Sequence, residues 1–405
     1  MEQLTWINNQ HQAMVSLIEK WADINSGSEN IQGLNSLLRI MQKDFAILGG
    51  EAEVISLPPH KVIDLQGAVA EVPSASALRL MKRRHAPIQI FFGGHIDTVF
   101  GPASPFQKTT RLNGNTLRGP GVTDMKGGLA ILLKGLEAFE RSPLASVIGW
   151  EIVLNPDEEI GSVSSGHLFV EGAKRNHLGI IFEPAFSDGA FVNSRKGSAN
   201  YTVTVRGKAS HAGRDFHHGK NAIYALADFI QAVEALNDNP HRTTVNVGYV
   251  KGGGPVNIVP DFALCRLNIR VASAEQFASL HSQLDGIVHA CQQRDGISIS
   301  LNMDNACPPK PFDDKTKPLF EAYKLCAEEL GIPFTCRESG GVCDGSRLAA
   351  AGLPTLDTAG AIGGSIHTEE EYLNLDSLTE RARLLTLFLI KLATGDVSIT
   401  RKDIP

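Results

Sequence analysis

Apolar positions along this chain recur with two different periods, and the switches between them divide it into three stretches. Spacings of three and four residues predict amphipathic helices over about 5–23 and 30–48, the second closed by Gly49-Gly50. A strand is expected near 53–57. In the next, Ile88, Ile90 and Phe92 share one side, and the apolar run stops at Gly93-Gly94, just before His95. Leu129, Leu132, Leu133 and Leu136 predict a helix over 125–140, opened by Asp124. Short apolar strands follow at 150–154 and 178–182. Alternation of strand and helix predicts an α/β layer with functional loops at the strand ends.

The pattern changes after Gly197. Tyr201, Val203 and Val205 alternate with Thr202 and Thr204, and a helical stripe of Ile223, Leu226, Ile230 and Val233 comes next. Two strands carry Val245, Val247, Tyr249 and Leu267, Ile269, Val271; a second stripe runs Phe277, Leu280, Leu284, Ile287, Cys291; Ile297, Ile299 and Leu301 mark a last strand. The order β-α-β-β-α-β is the ferredoxin-like split arrangement, with helices on one face of an antiparallel sheet and the other face free. After Cys307-Pro308-Pro309-Lys310-Pro311 the first pattern returns. Helices are expected over 317–330 and after Asp344, a strand over 354–358, and a last helix from Asp376, its N-cap, to about Thr394 before Gly395. The expected bounds are 1–196 and 305–405 for a first domain in two parts, and 197–304 for a domain inserted into it.

Composition adds limits. With 405 residues, 42% apolar and 20% charged, the chain reads as an ordinary globular protein of about two or three domains. A net charge of −6 argues against nucleic acid or an anionic membrane as partner. The apolar stretch 384–390 is broken by Thr386 and too short to span a bilayer. The first residues carry no apolar signal segment, and the six cysteines form no C-x-x-C pair, so reduced thiols in a cytoplasmic protein are expected.

The chemistry gathers where strands end. His95 and Asp97, two apart, point the same way as the strand opens. Asp157-Glu158-Glu159 and Glu183 follow the next two strands, Asp124 starts a helix, and His367 comes late after Gly363-Gly364. Carboxylates and imidazoles brought by several loops to one rim are what a metal site needs, which reads as a metallohydrolase. His217, His218 and His289 read as surface or capping residues. Cys343 has no accompanying base and reads as a buried thiol. Lys126-Gly127-Gly128 lacks the spacing of a phosphate loop.

Six ordered motifs make the chain resemble the M20 family of di-zinc peptidases and deacylases over nearly its whole length. They are Gly94-His95-Ile96-Asp97, the Gly121–Gly128 segment around Asp124, Asp157-Glu158-Glu159-Ile160-Gly161-Ser162, Glu183-Pro184, Ser210-His211-Ala212-Gly213, and His367. The resemblance implies a zinc-exopeptidase-like three-layer catalytic domain with an inserted lid that also forms a homodimer. It implies that Asp124 bridges two Zn²⁺ ions (Co²⁺ or Mn²⁺ being alternatives), one completed by His95 and Glu183, the other by Glu159 and His367. Charge agrees, since three carboxylates and a bridging hydroxide cancel two divalent cations. Asp97 would hold the second imidazole nitrogen of His95, and Glu158 would be the general base. His211 would reach a neighbouring active site, and Asn257 and Arg270 would contact substrate, the guanidinium suiting a carboxylate. Phe216 stands where the family usually has Pro. Glu183 rather than Asp, and the 195–198 and 338–341 segments, resemble the glutamate carboxypeptidase branch. The implied reaction is hydrolysis of an amide bond that releases an amino acid with a free carboxylate, from a peptide or N-acyl amino acid. The runner-up is a biosynthetic deacylase acting on acetylornithine or succinyl-diaminopimelate, for which Asp344 or Asp215 would supply an acidic subsite. The remote alternative is a non-catalytic metal-binding homologue, against which the intact ligand set speaks.

Overall fold

A mixed sheet of six strands forms the central layer in a computed structural model that describes residues 2–238 and 243–399. Met1 and residues 400–405, at the outer ends of the expected bounds, lie outside the described residues. Across the sheet the strands run Glu51–Ile55, Ala77–Lys82, Ile148–Asn155, Ile88–His95, Leu178–Ile181 and Thr355–Leu356. The last four are mutually parallel, and the first two are antiparallel additions at one edge. Ile88–His95 and Ile148–Asn155 are buried along their whole length, as strands covered on both faces must be.

The strand itself continues through Gly93-Gly94 to His95 and stays buried throughout. The glycines serve close packing on opposite faces. A Cβ on Gly94 would stand 2.5 Å from the Met125 side chain, and one on Gly93 would stand 3.0 Å from Phe169. The Gly128–Glu140 helix, which follows Met125, and the Gly166–Arg175 helix, which carries Phe169, therefore flank the sheet on two sides. Asp376–Thr394 packs against the first and Asp344–Ala350 against the second, giving three layers.

Several local expectations shift. The first helix is two, Glu2–Asn8 and His11–Ala22, broken at Asn9-Gln10. The Ile31–Phe45 helix is capped by Asn30, whose side chain accepts the N–H of Gly33, and ends in a 3₁₀ turn. Asp376 is the first residue of its helix rather than the cap, which is Leu375, while Gly395 closes that helix at φ 83°. The strand expected over 354–358 is only Thr355–Leu356.

The inserted block forms a second sheet, entirely antiparallel, in the order Ser298–Cys307, Gly197–Arg206, Phe262–Val271, Thr244–Gly252. Numbered along the chain that is 4-1-3-2, the ferredoxin-like order. The Ala222–Glu234 and Ala274–Gln292 helices pack on each other and on the sheet around a separate apolar core. On the first helix the buried stripe is Ala222, Ala225, Leu226, Phe229 and Val233; Ile223 is exposed instead. The opposite sheet face is not free. A hairpin, His60–Ile63 with Val69–Val72, stands against it, and Arg266 donates to the carbonyl of Ile63 at 2.8 Å.

A small four-stranded sheet joins Gly363–Gly364, Tyr372–Asn374, Thr116–Arg118 and Thr110–Asn113. Its pairing of sequence-distant strands brings the His367 segment onto the Asp124 loop.

Candidate metal centre

Three backbone features place the donors. His95 is the last residue of a central strand. Glu158 and Glu159 form the short turn just past the neighbouring strand. Asp124 lies in a wide turn, Val122–Gly127, where Asp124 and Met125 have non-helical dihedrals; the regular helix starts only at Gly128. The Asp124–Met125 peptide bond is cis. His367 sits at φ 62°, a left-handed conformation that a non-glycine residue keeps only when its surroundings hold it.

His95 Nε2 lies 3.1 Å from Asp124 Oδ1 and 4.0 Å from Glu183 Oε2. His367 Nε2 lies 3.3 Å from Asp124 Oδ2 and 3.2 Å from Glu159 Oε2. Asp124 thus turns one oxygen to each imidazole. Two ligands bound tetrahedrally to one zinc at about 2.0–2.1 Å stand roughly 3.3 Å apart, so the separations of 3.1, 3.2 and 3.3 Å suit donors able to share an ion. The ligand atoms of His95, Asp124 and Glu159 lie within 4.8 Å of one another.

The electrostatics ask for cations. Four carboxylates, Asp124, Glu158, Glu159 and Glu183, line a cleft of about 330 Å³. Burial pushes Glu183 up to about 8. Burial, reinforced by the charge of Glu183, raises Glu158 well above the carboxylate range. Burial alone would lower His95, but its bonds to Asp124 and Asp97 outweigh that and hold it well above its usual value. Bonds to Asp124 and Glu159 lift His367 to about 10. Burial opposes ionisation of Asp124 too, yet the two imidazoles hold it below the carboxylate range. Nitrogen and oxygen donors crowded so closely that they take up extra protons to offset their carboxylates fit divalent metal ions, which would displace those protons.

Around the cluster, Asp97 does more than its expected part. His95 Nδ1 is 3.0 Å from the Asp97 carbonyl and 3.4 Å from its carboxylate. The carboxylate accepts the N–H of Glu158 and of Glu159, and the Ser28 hydroxyl. Glu371, which the sequence reading did not single out, accepts three N–H bonds from the Asp124 loop. Arg195 lines the cleft and is held by Asp357, which also takes buried Lys310. No local pattern marks Glu371 or Asp357, because their partners lie far off in sequence, about 250 residues from Glu371 and 162 from Asp357 in the case of Arg195.

The remaining candidates lie elsewhere. His211 and Asn257 are exposed where two short segments of the inserted block, distant in sequence, pair antiparallel, Ala212 donating to the Asn257 carbonyl, and neither lines the cleft. Arg270 donates to Asn268 and to the carbonyl of Gly340, at the junction with the loop that borders the cleft. Asp344 is buried, accepting from Ser162 and Asn155, so it is not free to form an acidic subsite. Asp215 is exposed and outside the cleft lining. Cys343 is a buried free thiol, pushed well up by burial.

Residues 91–391 match the model of peptidase family M20/M25/M40. Carboxypeptidase G2 of Pseudomonas sp. (strain RS-16) is 24% identical, the match covering 95% of this chain and 90% of that protein. Succinyl-diaminopimelate desuccinylase of Nitrosospira multiformis is 30% identical, covering 75% of this chain and 82% of that one. The M20 metallo-carboxypeptidase Sso-CP2 of Sulfolobus solfataricus has the same fold, with a TM-score of 0.71 at 15% identity over 93% of this chain and 98% of that one. With its fold, its cluster of donors and three quarters of its length in agreement, the chain belongs to peptidase family M20/M25/M40 and is a hydrolase of amide bonds.

Proposed function

We propose that this enzyme releases an amino acid with a free carboxylate from a peptide or N-acyl amino acid, using two divalent ions, zinc first among them. The observation that carries the reading is Asp124, with Oδ1 3.1 Å from His95 and Oδ2 3.3 Å from His367. His95 and Glu183 stand on one side of it, Glu159 and His367 on the other. When bound, such a metal pair supplies Lewis acidity and a water of lowered pKa. Glu158 lines the cleft beside Glu159 without making the imidazole contact that Glu159 makes. It takes a proton from the attacking water and returns it to the departing amine nitrogen.

Recognition falls to the cleft rim. Arg270, positioned by Asn268 and Gly340, offers a planar guanidinium to the substrate carboxylate. Nδ1 of His211 accepts the N–H groups of Gly213 and Arg214, which leaves the proton of a neutral ring on Nε2. That nitrogen is a donor suited to an oxyanion. Because His211 and Asn257 are away from their own cleft, they serve a second copy. An exposed edge supports that homodimer: Tyr249 and Val250 on the outer strand, Ile223 and Tyr224 beside it, and Val256, which is fully exposed.

A biosynthetic deacylase is the second reading, favoured by the 30% identical desuccinylase. The deciding experiment is a hydrolysis screen of the zinc-loaded protein against N-acyl amino acids, C-terminal-glutamate peptides, succinyl-diaminopimelate and free dipeptides. Turnover confined to succinyl-diaminopimelate would select the second reading. No turnover of any amide would remove both.

A further inference from the structure

The wide turn that carries Asp124 exposes its backbone donors to the interior, and buried N–H groups need partners. Glu371, only 1% exposed, supplies them. Its Oε1 accepts the N–H of Thr123 at 2.9 Å and of Asp124 at 3.0 Å, and its Oε2 accepts that of Gly121 at 3.1 Å. The Glu371 carbonyl takes the N–H of Gly119, and the Tyr372 carbonyl takes the Thr123 hydroxyl at 2.6 Å. Lys126, also buried, supplies a compensating charge; Glu371 exerts the strongest pull on it among the nearby carboxylates. The carboxylate therefore braces the loop of one proposed ligand, and it lies four residues after another, His367.

We propose that Glu371 is a positioning residue: by clamping the N–H groups of Gly121, Thr123 and Asp124 it sets the direction in which Asp124 presents its two oxygens, and it ties that direction to the placement of His367. The inference rests on the metal reading given above. It does not make Glu371 a ligand, because its oxygens are taken up by the backbone. Groups that orient metal ligands in this way are worth about 10–100-fold in metal affinity.

The test compares Glu371→Gln and Glu371→Ala with the exposed control Glu370→Gln, whose side chain pairs with Arg118. Three quantities are read: zinc affinity and stoichiometry by competition with a chromophoric chelator, the visible spectrum of the cobalt-substituted protein, and melting of the metal-free protein. Gln keeps one acceptor oxygen but turns an amide N–H towards another N–H donor. The Gln variant should still fold when metal-free, with at most a modest drop in melting temperature, bind zinc about 10–100-fold more weakly, and show an altered cobalt spectrum. The control should change none of these. Should the Ala variant not fold, the isosteric Gln variant decides. Unchanged zinc affinity and spectrum in the Gln variant would overturn the proposal, and so would a loss confined to metal-free melting, which belongs to a structural residue. A wild-type chain that takes up no metal would instead sink the metal reading itself.

Discussion

The carboxylate of Asp97 accepts the backbone N–H of Glu158 at 3.2 Å, so the end of one strand holds the turn that follows its neighbour. Its other oxygen accepts the N–H of Glu159 at 3.1 Å, and its carbonyl stands against His95. One residue thus orients two proposed ligands and the proposed base. Asp97→Ala should weaken metal binding about 10–100-fold and cost turnover besides. Asp97→Asn, which retains one acceptor, should lose less. Metal titration of both variants checks the order; an Asn variant as impaired as Ala would show that charge, not hydrogen bonding, carries the role.

Glu158→Ala should lower turnover by about 10²–10⁴-fold, the range for a positioned acid–base group, with metal content and KM little changed. Elemental analysis of the purified variant is the check. Loss of metal from it would mean that Glu158 is a ligand.

His367→Ala should deplete at least one metal per chain, because His367 faces both Asp124 and Glu159. Full occupancy with normal affinity in this variant would take His367 out of the ligand set.

Arg270→Ala should cut kcat/KM by an amount equivalent to about 1.5–3 kcal/mol for a lost charge-assisted hydrogen bond, without altering metal content. The loss should shrink when the substrate carboxylate is replaced by an amide. Equal damage towards both substrates would leave Arg270 a brace for the Gly340 loop and nothing more.

Metal binding should release protons. Burial holds Glu183 near 8 and bonds to two carboxylates hold His367 near 10, so at pH 7 the metal-free protein keeps both largely protonated. Ligation requires the deprotonated forms, so affinity should rise as pH rises from about 6 to 8. Calorimetric titrations in buffers of different ionisation enthalpy measure the protons directly; a pH-independent affinity would contradict the electrostatics of the site.

What could be read from the chain was whatever is written locally. The parallel strands announce themselves as apolar runs, and each proposed donor near a strand end was visible from its position after one. Asp124 was visible as a residue but misplaced, since Leu129 to Leu136 report a helix without saying where it starts. Its turn is shaped by Glu371 and by the small sheet pairing Tyr372–Asn374 with Thr116–Arg118, partners some 250 residues apart that no periodicity reveals. Likewise nothing in the run around Pro354 shows that Asp357 will take Arg195 and Lys310 together.

That last arrangement bears on how the molecule can move. The outgoing and returning backbones pair directly, Arg195 N–H to the Lys310 carbonyl at 2.9 Å and Lys310 N–H to the Arg195 carbonyl at 3.0 Å. Two strands bonded side by side resist being stretched or sheared in their own plane and yield to bending across it. The inserted block therefore hangs from a flat stalk rather than from two independent tethers. A swing of the block about that line, with Asp357 beside it, would have to release the bonds of Arg266 to Ile63 and of Arg270 to Gly340.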